Sequence, residues 1–196
     1  HLSIRRQRQM CIRDSFSSMR ADLTHREYSP SELQDYIYGS AEAIGLLCLQ
    51  IFLAEENVSP ADRAAMERGA RALGSAFQKI NFLRDLREDS STLGRTYFQQ
   101  APSGRIDEAT KSALIAEIRR ELATAALTID LLPASARVGV SAAADIFAEL
   151  TNRLAATPAT ALATTRVSVP NHTKAWLAAR AAVSYTHLRA HETDSY

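Results

Sequence analysis

Gly74-Ser75-Ala76-Phe77-Gln78-Lys79-Ile80-Asn81-Phe82-Leu83-Arg84-Asp85-Leu86-Arg87-Glu88-Asp89 is the stretch from which the fold is read. Met66, Ala70 and Leu73 just before it, then Phe77, Ile80 and Leu83 within it, step by three or four residues, the spacing of one apolar helix face. Successive helical residues turn by about 100°, which gathers Gln78, Asn81, Asp85, Glu88 and Asp89 into an arc of roughly 100°. Phe77 flanks this polar stripe on one side and Phe82 and Leu86 on the other, so the stripe is expected to face a cavity with apolar walls. Asp85 and Asp89 stand four apart, a repulsion of about a few tenths of a kcal/mol in an isolated helix that a bound cation reverses. Hard carboxylate oxygens on one face suit Mg²⁺, and Arg84 on the helix with Arg95 beyond it would supply positive charge to phosphates held there. Acid pairs at this spacing are also common on solvated helix faces; the aromatic flanks and the two amides set this one apart.

Outward from that helix the punctuation is regular. Ser59-Pro60-Ala61-Asp62 starts it, and Ser29-Pro30-Ser31-Glu32 starts an earlier helix expected to run to about Ala54. Gly69 and Gly74 weaken the second helix locally, so packing must compensate there. Its end is expected near Asp89, followed by a loop carrying Gly94, Pro102 and Gly104. A third helix is expected from about Asp107 to Leu132, stopped by Pro133, and a fourth from about Val138 to Ala156. The β-branched run Thr164 to Val169 before Pro170 reads as extended, with a last helical piece from near Asn171. The fold class is therefore all-α.

The 196 residues are 46% hydrophobic and 23% charged, which fits one globular domain and excludes a disordered or collagen-like chain. The most apolar run, Ala41 to Leu53, is broken by Glu42 and Gln50, which argues against a membrane span. Cys11 and Cys48 give no disulfide framework, and Cys48 reads as a small core residue. His25 and His172 lack partners at metal-ligand spacing and read as surface residues.

The two ends read differently. Met10-Cys11-Ile12-Arg13-Asp14-Ser15 and Val183-Ser184-Tyr185-Thr186-His187-Leu188 can be back-translated into sequences that, apart from frame, are reverse complements, and they resemble the strands of a transposon-end sequencing adapter. Residues 1–15 and 183–196 are accordingly read as translated adapter, taking no part in folding, around a genuine segment 16–182. Setting them aside takes the net charge from +1 to −1 and removes any electrostatic case for nucleic-acid binding or for a basic targeting peptide. With no signal sequence in view, the expected compartment is the cytoplasm.

The spacing Q-x-x-N-x-x-R-D-x-x-E-D over Gln78 to Asp89, followed by Gly94-Arg95-Thr96-Tyr97, resembles the second aspartate-rich motif of the squalene and phytoene synthases. Met19-Arg20-Ala21-Asp22-Leu23, Tyr36 to Leu46, and Arg166-Val167-Ser168-Val169-Pro170 with Lys174 and Trp176 follow the family's order across nearly all of 16–182. The resemblance implies the C-terminal part of an all-α isoprenoid synthase bundle that joins two prenyl diphosphates head to head. In that family Mg²⁺ helps ionise an allylic diphosphate, a cyclopropylcarbinyl diphosphate forms, and a second ionisation with rearrangement gives the hydrocarbon. Carried over, Asp85 and Asp89 would hold Mg²⁺, or Mn²⁺ in its place. Gln78, Asn81 and Arg84 would bind the diphosphate, and Arg95 and Tyr97 would assist the ionisation.

Tyr38 lies in a stretch rich in Gly and Ala that leaves room for a substrate chain, and its ring could face that chain or sit in the core with its hydroxyl paired. Gly39 stands where squalene synthases usually carry a second tyrosine, so the resemblance leans to the phytoene and dehydrosqualene branch, which needs no NADPH. Glu42 departs from the family's small residue and Phe147 from its frequent tyrosine. The expected reaction is geranylgeranyl diphosphate to phytoene, in carotenoid biosynthesis; squalene or dehydrosqualene formation, or a non-catalytic relative acting as an assembly factor, are the alternatives. Peripheral membrane association for product release is expected with it. The family's first aspartate-rich motif is expected upstream and absent, which makes the 196-residue chain itself catalytically silent.

Overall fold

Ser29 and Ser59 begin helices as their sequence context requires. The Ser29 hydroxyl accepts from the Glu32 N–H at 3.3 Å while the Glu32 carboxylate accepts from the Ser29 N–H at 2.8 Å, a complete capping box with Pro30 in the first turn. Ser59 accepts from the Asp62 N–H at 3.0 Å, but its hydroxyl, not its N–H, donates to the Asp62 carboxylate. The structure is a computed structural model that describes residues 9–16, 18, 20, 28–88 and 106–193, with side chains through 86 in the first long stretch and through 183 in the last. Its elements are α1 (9–16), α2 (Pro30–Ile37), a π-helical turn (Tyr38–Glu42), α3 (Ala43–Phe52), α4 (Pro60–Glu88), α5 (Glu108–Ile129), α6 (Ala134–Ala156), α7 (Ala159–Leu162) and α8 (Asn171–Thr193). No strand occurs among the described residues, as the all-α reading requires.

The first expected helix, Pro30 to about Ala54, exists but is not regular. At its middle the Ala43 N–H reaches back to the Tyr38 carbonyl, an i to i+5 bond that swells the helix by one residue. The swelling lies where the chain meets α4 backbone to backbone. A Cβ on Gly45 would stand 2.5 Å from the Ala70 carbonyl oxygen, and one on Gly74 would stand 2.6 Å from that of Ala41. Only glycine fits at either position, and the resulting contact supplies the packing that these helix-weakening residues call for.

Beyond α4, the expected third helix is α5, capped by Asp107, whose side chain accepts from the Thr110 N–H at 2.7 Å. α6 starts at Ala134 directly after Pro133, one turn earlier than the Val138 expected, because Pro133 is well placed ahead of a first helical turn that needs no N–H from it. α7 was not anticipated from the sequence. Residues 165–170 are non-helical, as expected, and α8 starts at Asn171. α1 lies within the stretch 1–15 that the sequence sets apart, and its Cys11, only 2% exposed, packs with Ala43 and Leu46 of α3.

The main core lies between α4, α5, α6 and α7. Ile80, Leu83 and Leu86 meet Ile115, Ile118, Leu150, Leu154 and Leu162 there, each such side chain contributing about 1.5–3 kcal/mol on burial. Lys111, 2% exposed, is the buried cation of this region: its Nζ donates to the Thr157 carbonyl at 2.6 Å and pairs with Glu108, whose other oxygen accepts from the Ala159 N–H. One lysine and one glutamate thus tie the start of α5 to the end of α6 and the start of α7. No helix among the described residues is long and apolar enough to cross a membrane.

Candidate active site

The face of α4 carrying Met66, Ala70, Gly74 and Phe77 forms one wall of a cavity of about 530 Å³. Ser40, Ala41 and Gly45 of the first helical run close it on a second side, and α5 and α6 supply the rest. It is large because so many of its wall residues are small. This explains why Ala70, Leu73 and Phe77 are only half-buried although they share an apolar periodicity with the fully buried Ile80 and Leu83.

Eleven residues are almost exactly three helical turns, about 16 Å along the axis. Asn81 therefore stands in line with Ala70, and Asp85 in line with Gly74, so the wall of the cavity passes directly into the polar stripe. This refines the expectation that the stripe itself faces an apolar-walled space. The apolar space runs beside the preceding turns of the same face, and of the stripe's flanks only Phe77 reaches it. Phe77 stacks on Phe147 of α6, ring centroids 3.8 Å apart at 18°, whereas Phe82 and Leu86 are buried in packing.

Gln78, Asn81, Arg84 and Asp85 are all half-buried on α4. The Asn81 side-chain carbonyl oxygen is buried with no hydrogen-bond partner among the described residues. Asp85 receives the Arg84 guanidinium through both oxygens, at 3.0 and 2.5 Å, and Arg166 Nε lies 3.2 Å from its Oδ1. Arg166 comes from the extended stretch before α8. Sequence reasoning gave it no role, and the only signal for it was its place at the head of the R-V-S-V-P run. Asp89, Arg95 and Tyr97 lie outside the described residues, as do His25 and the side chain of Glu88. Among the described residues no three His, Cys, Asp or Glu side chains are grouped to hold a metal ion.

Tyr38, on the π-helical turn, is not among the cavity's wall residues, although Ser40 and Ala41 beside it are. The Arg71 guanidinium sits over its ring at 5.4 Å and also binds Glu42 at 2.8 Å, which accounts for the acid at a position where a small residue was expected. Burial, followed by the charges of Cys11 and Asp14, pushes the Tyr38 hydroxyl above its ordinary pKa despite Arg71. Cys48 corrects the sequence reading: it is exposed, on the face of α3 that lines the cavity. His172 is exposed, as expected.

A second face of α4, about a third of a turn round from Gly74 and Asp85, carries Ser75, Lys79 and Phe82 over a second groove of about 660 Å³. There Lys79 donates to Glu117 at 2.7 Å and to Glu121 at 2.5 Å, and Ser75 donates to Glu121 at 2.9 Å. Burial alone would lower the Lys79 pKa, but the bonds to the two glutamates outweigh it and raise the pKa above the ordinary lysine value. Burial holds Glu121 above the usual carboxylate range in spite of Lys79.

The chain matches the sequence model of the family described as squalene/phytoene synthase over residues 3–173, which takes in the site helix, the cavity and Arg166. It belongs to the squalene/phytoene synthase family. The match begins within the stretch 1–15 that the sequence reading set apart. Among relatives of the squalene/phytoene synthase family, the chain is 42% identical over 93 residues to phytoene synthase 3, chloroplastic, of Zea mays, covering 45% of this chain and 21% of that protein. It is 37% identical over 104 residues to phytoene synthase 1, chloroplastic, of Solanum lycopersicum, covering 50% and 24%. It is 30% identical over 151 residues to a bifunctional lycopene cyclase/phytoene synthase of Phycomyces blakesleeanus, covering 64% and 24%. The chain thus spans about a quarter of the length of these squalene/phytoene synthase relatives.

Proposed function

We propose that this chain carries the second aspartate-rich half of a prenyltransferase site that joins two molecules of geranylgeranyl diphosphate head to head into phytoene. The observation that carries the reading is the continuity along α4: one helix face is an apolar cavity wall from Met66 to Phe77 and a polar stripe from Gln78 to Asp85. An amphiphile with an apolar chain and a charged head fits that polarity, its chain along Ala70 and Gly74 and its diphosphate beside Asn81 and Asp85. The names of the relatives support phytoene over squalene.

The residues fit a divalent cation. The buried, unpartnered Asn81 oxygen and the Asp85 carboxylate are hard oxygen donors one turn apart, and Asp89 would complete the set. Mg²⁺ bound there would offset charge on the departing diphosphate. The protein's own share is different in kind. Gln78, Arg84, Arg95 and Tyr97 orient the diphosphate, and the cavity's apolar wall, which Tyr38 does not join, excludes water from the carbon that is losing its leaving group. No NADPH is required for phytoene. A long hydrocarbon product has little affinity for water, which favours release from a peripheral position at a membrane surface.

The test is a fusion of this chain behind the N-terminal part of the maize relative, given geranylgeranyl diphosphate and Mg²⁺. Phytoene formed without NADPH is the expected result. A folded fusion that makes no hydrocarbon, or only one requiring NADPH, overturns the reading.

A further inference from the structure

Asp85 is engaged on both oxygens by guanidinium groups, and the two differ in how they are anchored. Arg84 is its helix neighbour and has 26% of its side chain exposed, whereas Arg166 reaches across from the stretch before α8 with 54% exposed. A carboxylate offers about four lone-pair sites, and Arg84 takes one on each oxygen by hydrogen bonds, while Arg166 Nε stands at ion-pair distance, 3.2 Å, from Oδ1. A divalent cation approaching Asp85 therefore meets two positive charges and a depleted donor.

We propose that Arg166 is a positioning residue that competes with the divalent cation for Asp85 and releases the carboxylate when a diphosphate offers its guanidinium a better partner. The inference rests on the reading of Asp85 as a metal ligand. Its physical basis is that guanidinium binds phosphate oxygens in the same forked, charge-assisted way as it binds carboxylate, and a diphosphate presents more of them with more charge. Arg166 is the mobile partner of the two because it is more exposed and its element is non-helical. Cation and diphosphate binding are then positively coupled through one side chain, by an amount that must be the same whichever binds first. The consequence is a site that resists loading with metal alone and takes up metal together with substrate.

The test uses the 196-residue chain and Mn²⁺ alone, with bound and free ion distinguished by electron paramagnetic resonance. Arg166→Gln tightens Mn²⁺ binding by about threefold, the scale of one partly exposed ion pair. Arg166→Lys, which keeps the charge but loses the Nε that stands beside Oδ1, falls between the two. In an Asp85→Asn background the gain from Arg166→Gln disappears, which shows that Arg166 acts through Asp85 and not through the general field. Arg180→Gln, which removes an exposed arginine paired with Asp145, leaves Mn²⁺ binding unchanged. Equal affinity in wild type and Arg166→Gln overturns the proposal and leaves the metal reading of Asp85 standing. A gain that persists without Asp85 overturns it too. If no variant with a native circular-dichroism spectrum binds Mn²⁺, the metal reading falls and the competition falls with it.

Discussion

The two faces of α4 handle charge in opposite ways. On one, Lys79 is held by Glu117 and Glu121 from α5, with Ser75 adding a bond to Glu121, so that one cation is shared by two carboxyl groups of the neighbouring helix. On the other, Asn81 has a buried oxygen unpaired among the described residues, Asp85 is held by partly exposed arginines, and an apolar cavity adjoins them. The first arrangement joins two helices and serves packing, although among the described residues it too leaves one buried oxygen, Glu121 Oε2, without a partner. The second keeps polar capacity next to apolar space, which costs stability unless a ligand uses it. A polar cluster is therefore not a site merely by being polar; what separates the two faces is that one spends its charges bonding α4 to α5 and the other sets them at the end of an apolar cavity.

The comparison breaks most sharply if Asp85→Asn, made in the maize fusion, leaves phytoene synthesis intact. The expected loss is at least about a hundredfold, the scale of one strong electrostatic contribution to a transition state. Unfolding by urea should change by less than about 1 kcal/mol, because the pairs lost are partly exposed. Lys79→Met should do the reverse. Leaving Glu117 and Glu121 facing each other without their cation costs roughly 2 kcal/mol in the urea midpoint, below the figure for a fully buried pair because Glu117 is 45% exposed. Phytoene formation per folded molecule should hardly move. A mutant that unfolds no more easily but loses activity would mean the faces had been assigned the wrong way round.

The smallest effect is a pH dependence. Folding raises the Lys79 pKa, so the folded chain holds that proton more tightly than the unfolded one. The stability this gives is fully present below the ordinary lysine value and is lost as pH rises through the raised one. A shallow fall in melting temperature across the alkaline range is expected in the wild-type chain and should be smaller in Lys79→Met, where the raised Tyr38 hydroxyl still contributes its part. An identical fall in both would remove Lys79 from the account.

Local signals were legible in the sequence and distant ones were not. Ser29, Ser59 and Asp107 announce helix starts because a cap is decided within four residues. The stripe Gln78, Asn81, Asp85 was readable for the same reason, since helical spacing fixes it. The π-helical turn was not, because it answers to the close approach of α4, and neither was the pairing of Arg166 with Asp85, which joins elements far apart in the chain. Cys48 was misjudged because apolar periodicity does not say which apolar face of α3 meets a neighbour and which meets a cavity.

The glycine contacts at 45 and 74 have a consequence for how such a cavity can change over generations. Where Gly45 and Gly74 meet the carbonyls of Ala70 and Ala41, the separation of the walls is set by two main chains touching, with no side chain between them. A point mutation at either glycine moves a helix and threatens the fold before it reshapes the space. Substitutions at Ile44, Cys48, Ala143 or Val140, which contribute only side chains to the same walls, alter its outline while the helices stay in place. The outline of the cavity is thereby open to change at those positions, while the separation of its walls is held by the main chains.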